Sequence, residues 1–193
     1  MPSSHTYQLN EIMELVILTN PKNILDIGAG FGKYGVLIYE RMNLWWTDNY
    51  KNKNVLIDAI EVFKTYLTPI HKFIYNKIYK EDAAKTILKI KKKYDLSLMI
   101  DVLEHFSKEE GLKFLNNLKS KSKNILISIP KVVGEQGEAF NNPYEKHRST
   151  WKPEDFVSFG EIAVIPNRFS WIIFFGEEVK NIKQNSFYLK GNK

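Results

Sequence analysis

The segment Ile24–Gly35, ILDIGAGFGKYG, joins an apolar run to glycines at alternate positions, Gly28, Gly30 and Gly32, before a helix-compatible stretch resumes. A short apolar run closed by turn residues reads as a buried strand feeding a helix. A turn without side chains lets a ligand approach the backbone closely. In open α/β sheets such ligands lie beyond the carboxyl ends of the strands, so this one segment implies both a fold class and the edge of the sheet where a site should be sought.

The rest of the chain repeats the alternation. Ahead of the turn, Leu9, Ile12, Met13, Val16 and Ile17 form one helical stripe over residues 6–18, stopped by Asn20 and Pro21. After it, a helix is expected over 33–42, then a polar, aromatic loop from Trp45 to Lys53 and a second strand over 54–62 that ends in an acid. FKTYLTPIHKF predicts an interrupted helix and FIYNKIYK a third strand, while Asp82 can cap a helix ending near Lys93. A fourth strand is expected over 94–101, followed by a loop, DVLEHF, and by a capping box at Ser107–Glu110 that starts a helix to about residue 121. A fifth strand covers 124–130, a long aperiodic stretch follows, Pro153 opens a short helix, and residues 161–176 read as two strands around a Pro-Asn-Arg turn. Seven strands alternating with helices predict a doubly wound, mostly parallel sheet with helices on both faces and an antiparallel C-terminal hairpin. One domain is expected over 1–193: a leading helix and lid (1–22), a cofactor-binding half (23–131), and a substrate loop, terminal hairpin and tail (132–193).

Composition narrows the chemistry. The absence of cysteine removes disulfides, thiolate metal sites and cysteine nucleophiles together. No run of eighteen apolar residues and no signal peptide is readable, so no membrane partner and a cytoplasmic location are expected. The net charge of +6 raises the question of nucleic acid. Much of that excess lies in KTILKIKKK (85–93) and KSKSK (119–123), which read as the last turns of helices, where cations complement the helix dipole. Those ends lie at the edge of the sheet opposite the expected site.

Three ligands compete for the glycine turn. A phosphate loop would need glycine at 27 and Ser or Thr after Lys33, where the chain has Ile27 and Tyr34. The dinucleotide pattern fits Gly28 and Gly30 but meets Lys33 where it needs a third glycine, and Glu61 stands far beyond the twenty or so residues at which its acid is expected. What remains is G-x-G-x-G with Asp26 two residues ahead. In this the chain resembles the class I S-adenosylmethionine-dependent methyltransferases, over roughly residues 23–176, with Glu61 ending the second strand, Asp82 opening the next helix and DVLEHF after the fourth strand as further landmarks.

The resemblance implies a Rossmann-like fold, S-adenosyl-L-methionine as cofactor and S-adenosyl-L-homocysteine as product. It implies cofactor contacts from Asp26, Gly28, Gly30, Gly32, Tyr34, Glu61, Val62, Asp82, Asp101 and Val102. Glu61 suits the ribose because a carboxylate can accept from two vicinal hydroxyls. Asp82 either accepts from the adenine amino group or only caps its helix. A cationic sulfonium without phosphates matches an acidic, glycine-lined pocket.

The acceptor side should lie after strands four and five. His105, His147 and Glu104 are the candidate catalytic groups, since an imidazole can take a proton near neutral pH. Tyr7, Tyr144, Arg148 and Trp151 are candidate substrate contacts, and Trp45, Trp46 and Tyr50 could line the same pocket. NNPYEKHRSTW (141–151) is expected to form the acceptor wall, with the leading helix as lid. His71 reads as a surface or partly packed residue, and His5 as part of a flexible start. The sequence assigns no metal. As an alternative, Asp101, Glu104, His105 and His147 resemble the divalent-metal set of the small-RNA 2′-O-methyltransferases and some ubiquinone-pathway O-methyltransferases, a set needing only oxygen and nitrogen ligands. The expected activity is methyl transfer to oxygen or nitrogen of a small molecule. The alternatives are a 2′-O-methyltransferase acting on RNA and a cofactor-binding protein without turnover.

Overall fold

A computed structural model describes residues 4–45, 53–134, 136–138 and 141–190. Its centre is a seven-stranded sheet formed by β1 (Asn23–Ile27), β2 (Leu56–Ile60), β3 (Lys77–Tyr79), β4 (Tyr94–Ile100), β5 (Ser122–Pro130), β6 (Ile162–Ile165) and β7 (Ser170–Gly176). The order is β3-β2-β1-β4-β5-β7-β6. The first five strands are parallel, and β7 runs antiparallel between β5 and β6. The chain reverses direction across the sheet between β1 and β4, each of which sends its carboxyl end to the same edge.

Successive residues of a strand point to opposite faces, and here both faces are covered. On one face Ile24, Leu96, Leu98, Leu126 and Phe174 pack with Ile12, Leu15 and Val16 of α1 (Leu9–Thr19) and Ile38 of α2 (Lys33–Tyr39). Two further helices border this layer, α3 (Pro69–Ile74) and α6 (Val179–Asn185), through Ile74 and Ile182. On the other face Leu25, Ile27, Met99, Ile125, Ile127 and Phe175 pack with α4 (Ala83–Lys89) and α5 (Lys108–Lys119), whose Phe114, Leu115 and Leu118 are almost fully buried.

The expected elements are present with shifted ends. The leading helix begins as a 3₁₀ turn, Thr6–Gln8, and α2 passes into a π turn, Glu40–Leu44. Asn43 in that turn exchanges two hydrogen bonds with the Val55 backbone, accepting from its N–H at 2.8 Å. Asp82 does cap α4, accepting from Lys85 N–H at 3.1 Å, but the helix stops at Lys89 rather than near Lys93. Lys92 instead reaches back to the buried Asp58 at 2.9 Å, and Lys123 pairs with Asp95 at 2.9 Å. Two of the lysines in the basic stretches are thus paired toward the amino ends of the strands.

Two features differ from the sequence reading. The tail contains α6 and α7 (Phe187–Lys190), and Glu14 of α1 accepts from Ser186 Oγ at 2.7 Å and from the Phe187 N–H at 2.6 Å. The leading helix is a core element: Ile12, Leu15 and Val16 are fully buried, and among the described residues of this segment only Ser4 reaches the cleft described below. Among the described residues no helix is long and apolar enough to cross a membrane.

Trp151 follows the long loop and packs against α5, where Gly111 makes room for it. A Cβ on Gly111 would stand 2.5 Å from Trp151 Cζ2. Gly111→Ala therefore overpacks this joint and is expected to destabilise the protein by about 1–3 kcal/mol, read as a lower urea midpoint with unchanged slope. An unchanged midpoint would show that the loop does not depend on this contact.

Candidate active site at the carboxyl edge of the sheet

A cleft with about 950 Å³ of empty space, part of it open to solvent, lies beyond the carboxyl ends of β1, β2 and β4. Its floor is the glycine turn. Gly28 and Gly30 have φ of 70° and 55°, a region that disfavours side chains, and a Cβ on Gly28 would lie 2.5 Å from Val102 Cγ2. The turn is tied to β2 through Gly28 N–H and Ile60 C=O at 2.8 Å.

Two buried acids border it. Glu61, at the end of β2, accepts from Gly30 N–H through Oε2 and from Phe63 N–H through Oε1, both at 2.8 Å. Burial pushes its carboxyl up to about 7, although both backbone bonds favour the charged form. Asp26 shares the face of β1 that carries Ile24 and accepts from Tyr75 Oη at 2.6 Å; burial pushes it up to about 6 against that bond. Across the cleft Asp101 holds a left-handed backbone, φ 54°, unusual for a residue with a Cβ. Its Oδ2 accepts from Gln8 Nε2 at 2.9 Å, and Gln8 also takes the Ser128 hydroxyl. Its Oδ1 is buried without a hydrogen-bond partner among the described residues. Burial pushes Asp101 to about 6, with Gln8 opposing.

The acceptor side is built by the 3₁₀ turn Leu103–His105 and by residues 142–147. His105 Nδ1 faces Lys146 C=O at 3.2 Å and His147 Nδ1 faces Gly134 C=O at 2.8 Å. A carbonyl only accepts, so in each neutral ring Nδ1 carries the proton and Nε2 keeps a lone pair. Burial lowers the His105 pKa, favouring the neutral ring. The two rings lie 5.2 Å apart, and one ligand atom from each, with one Glu104 oxygen, fall within 4.8 Å of one another. Glu104 is 1% exposed, its Oε2 has no partner among the described residues, and burial holds its carboxyl well above the usual range.

Asp26, Gly28, Gly30, Tyr34, Glu61, Val62, Asp82, Asp101, Val102, His105 and Tyr144 all line this one cleft. Gly32 instead shapes the turn behind it as the left-handed residue before α2. Glu104 and His147 stand next to His105 rather than on the wall.

Three of the four proposed substrate contacts lie elsewhere. Trp151 is 2% exposed, with its ring in the core beside Phe156 and its Nε1 donating to Ser149 Oγ, because Gly111 leaves a slot for it. Arg148 points to solvent and pairs with Glu110 at 2.9 Å. Tyr7 is exposed and stacks between His5 and Phe169. Trp45 is exposed under Arg41, while Trp46 and Tyr50 lie outside the described residues. His71, expected near the surface, is fully buried behind the turn.

Sequence reasoning missed Tyr66 and Asn142, which form a polar wall with Glu145: Tyr66 Oη donates to Glu145 Oε1 at 3.1 Å and Asn142 Nδ2 donates to Tyr66 Oη at 3.2 Å. Asn142 and Glu145 lie within the stretch singled out as the acceptor wall. Tyr66 carries no periodic or motif signal.

An acid whose pKa rises on folding stabilises the fold below its unfolded value, and that stabilisation is lost as pH rises through the folded value. For Glu61 this window runs from its ordinary 4.5 to about 7. Between pH 5 and 8 the ligand-free melting temperature is expected to fall less in Glu61→Gln than in wild type. Parallel melting curves across that range would contradict the burial of this charge.

No protein-family model matches the sequence, and comparison with curated proteins finds no match. Solved structures do match. The N-terminal domain of EvdMO1, crystallised in the presence of SAH and D-fucose, aligns with a TM-score of 0.64 at 14% identity, over 90% of this chain and 84% of that one. The methyltransferase domain of bacterial CtHen1-CN gives 0.57 at 16% identity over 89% and 98%. Magnesium protoporphyrin IX methyltransferase (ChlM) from Synechocystis PCC 6803, with bound SAM, gives 0.58 at 13% identity over 86% and 76%. Likeness at this level of identity concerns shape, and in shape the chain has the Rossmann-like fold of the S-adenosylmethionine-dependent methyltransferases.

Proposed function

We propose that this chain is an S-adenosylmethionine-dependent methyltransferase acting on a hydroxyl group of a small molecule. The observation that carries the reading is Glu61: a buried carboxylate at the end of β2, fixed by the amides of Gly30 and Phe63 on the rim of a bare glycine turn. Each of its oxygens has one lone pair committed to an amide and another available for a ribose hydroxyl. The unpartnered Asp101 Oδ1 and the buried Asp26 fit the ammonium of the methionine moiety, and the wall has room for its backbone because glycine occupies 28 and 30. Solved structures of the same shape have SAH or SAM bound.

When bound, the cofactor supplies an electrophilic methyl on a good leaving group. The protein's tasks are alignment and removal of one proton. His105 fits the second task. Its Nδ1–H is held by Lys146 C=O, its Nε2 is a lone-pair acceptor, and burial favours the neutral base. Tyr66, Asn142, Tyr144 and Glu145 offer donors, acceptors and ring surface to a polar acceptor in the same cleft.

A second reading rests on Glu104. Its unpartnered oxygen, with the lone pairs of His105 and His147, makes a set able to hold a divalent ion, which would supply Lewis-acid activation of the acceptor hydroxyl.

Calorimetry with SAH is expected to give saturable binding to wild type and a loss of at least about tenfold in affinity in Glu61→Ala, the cost of one charge-assisted interaction. Absence of heat in wild type would overturn the reading. With labelled SAM and a panel of hydroxylated acceptors, His105→Gln is expected to lower kcat by about a hundredfold while leaving KM nearly unchanged. Chelation separates the two mechanisms: activity that survives EDTA supports a protein base, and activity restored only by Mg²⁺ or Mn²⁺ supports the metal. SAH binding with no transfer to any acceptor would favour a binding protein instead.

A further inference from the structure

Gly30 is held from both sides. Its N–H donates to Glu61 Oε2 at 2.8 Å, and its C=O lies 2.9 Å from His71 Nε2. The second contact has a forced direction. Thr68 N–H lies 3.0 Å from His71 Nδ1 and can only donate, so Nδ1 accepts. A neutral ring then carries its proton on Nε2, which donates to Gly30 C=O. One imidazole thereby closes the first turn of α3, where a capping box ordinarily uses Glu or Gln, and fastens the glycine turn with its other nitrogen.

The surroundings make this ring hard to replace by bulk alone. His71 is fully buried, and its Nε2 would lie 3.3 Å from a Cβ on Gly32, so the ring also fills the space behind the next glycine. Tyr75 stands four residues further on, with its ring 5.7 Å from that of His71, and donates to Asp26. Two side chains from one short segment therefore grip the turn and the acid that precedes it. The peptide planes on either side of Gly30 are each fixed by a side-chain bond, and these set the φ of 55° that aims the turn at the cleft.

We infer that His71 is a positioning residue for the cofactor: through Gly30 it holds the glycine turn in its binding conformation without touching the ligand. This assignment rests on the methyltransferase reading above.

Nδ1 also faces the Thr68 hydroxyl at 3.1 Å, and two conservative variants separate what the ring's two nitrogens do. His71→Gln places a donor where Nε2 was and gives up the Nδ1 acceptor. His71→Asn keeps an acceptor near Nδ1 and loses the donor to Gly30. Calorimetry with SAH is expected to show His71→Gln within about threefold of wild type and His71→Asn weaker by about tenfold or more, the usual effect of leaving one buried carbonyl unpaired. Their ligand-free melting temperatures are expected to be similar, since each retains the bonding of one of the two nitrogens, whereas a merely structural role would make affinity follow melting temperature. His71→Phe, which keeps the ring against Tyr75 and loses both bonds, should group with Asn in affinity. Equal SAH affinity in all variants that fold, or an affinity order that simply tracks stability, would overturn this assignment alone. A wild-type protein giving no heat with SAH would overturn the methyltransferase reading and this assignment with it.

Discussion

Taking a carboxylate out of water is unfavourable unless hydrogen bonds or countercharges replace its hydration. The carboxyl edge of this sheet gathers Asp26, Glu61, Asp101 and Glu104, and burial raises the pKa of each. Among the described residues the cation lining that edge is Lys33, whose ammonium is bonded to the Ser4 carbonyl. The arrangement is held by the two apolar layers, because Leu25, Ile27, Leu98 and Met99 anchor the strands that carry these acids. A fold stabilised elsewhere can keep an electronegative concavity poised for a cationic ligand.

The architecture was largely legible because it is written in periodicity. Apolar runs in β1, β4 and β5 and the capping box at Ser107 and Glu110 lie where the pattern predicts them. Helix ends were less legible. The lysines after Lys89 read as a continuing helix, yet Lys92 is drawn to Asp58, a partner 34 residues earlier that no local pattern reveals. The tail escaped for a similar reason, since α6 and α7 are short and owe their place to Glu14 and the face of α1.

The site divides in the same way. Residues at strand ends, such as Asp26, Glu61 and Asp101, follow from the order of the elements, and the structure brings them to one cleft. Side chains on the long loop do not follow from order, because their direction is set by tertiary contacts. Trp151 and Arg148 are only three residues apart, yet one is packed against Gly111 and the other is paired with Glu110 in solvent. His71 shows the limit most clearly. Nothing in its neighbourhood sequence distinguishes a surface imidazole from one bridging a helix cap and a turn 41 residues away.

The placement of β7 between β5 and β6 bears on how the chain is made. During synthesis β5 emerges with Ile125, Ile127 and Ile129 and with one edge unpaired, and β6, which follows, has no pairing with β5 in the finished sheet. That edge has no partner until β7, which ends at Gly176, is available, and an unpaired apolar strand edge is open to other chains. Only when the last strand slots into the middle does β5 gain its second neighbour.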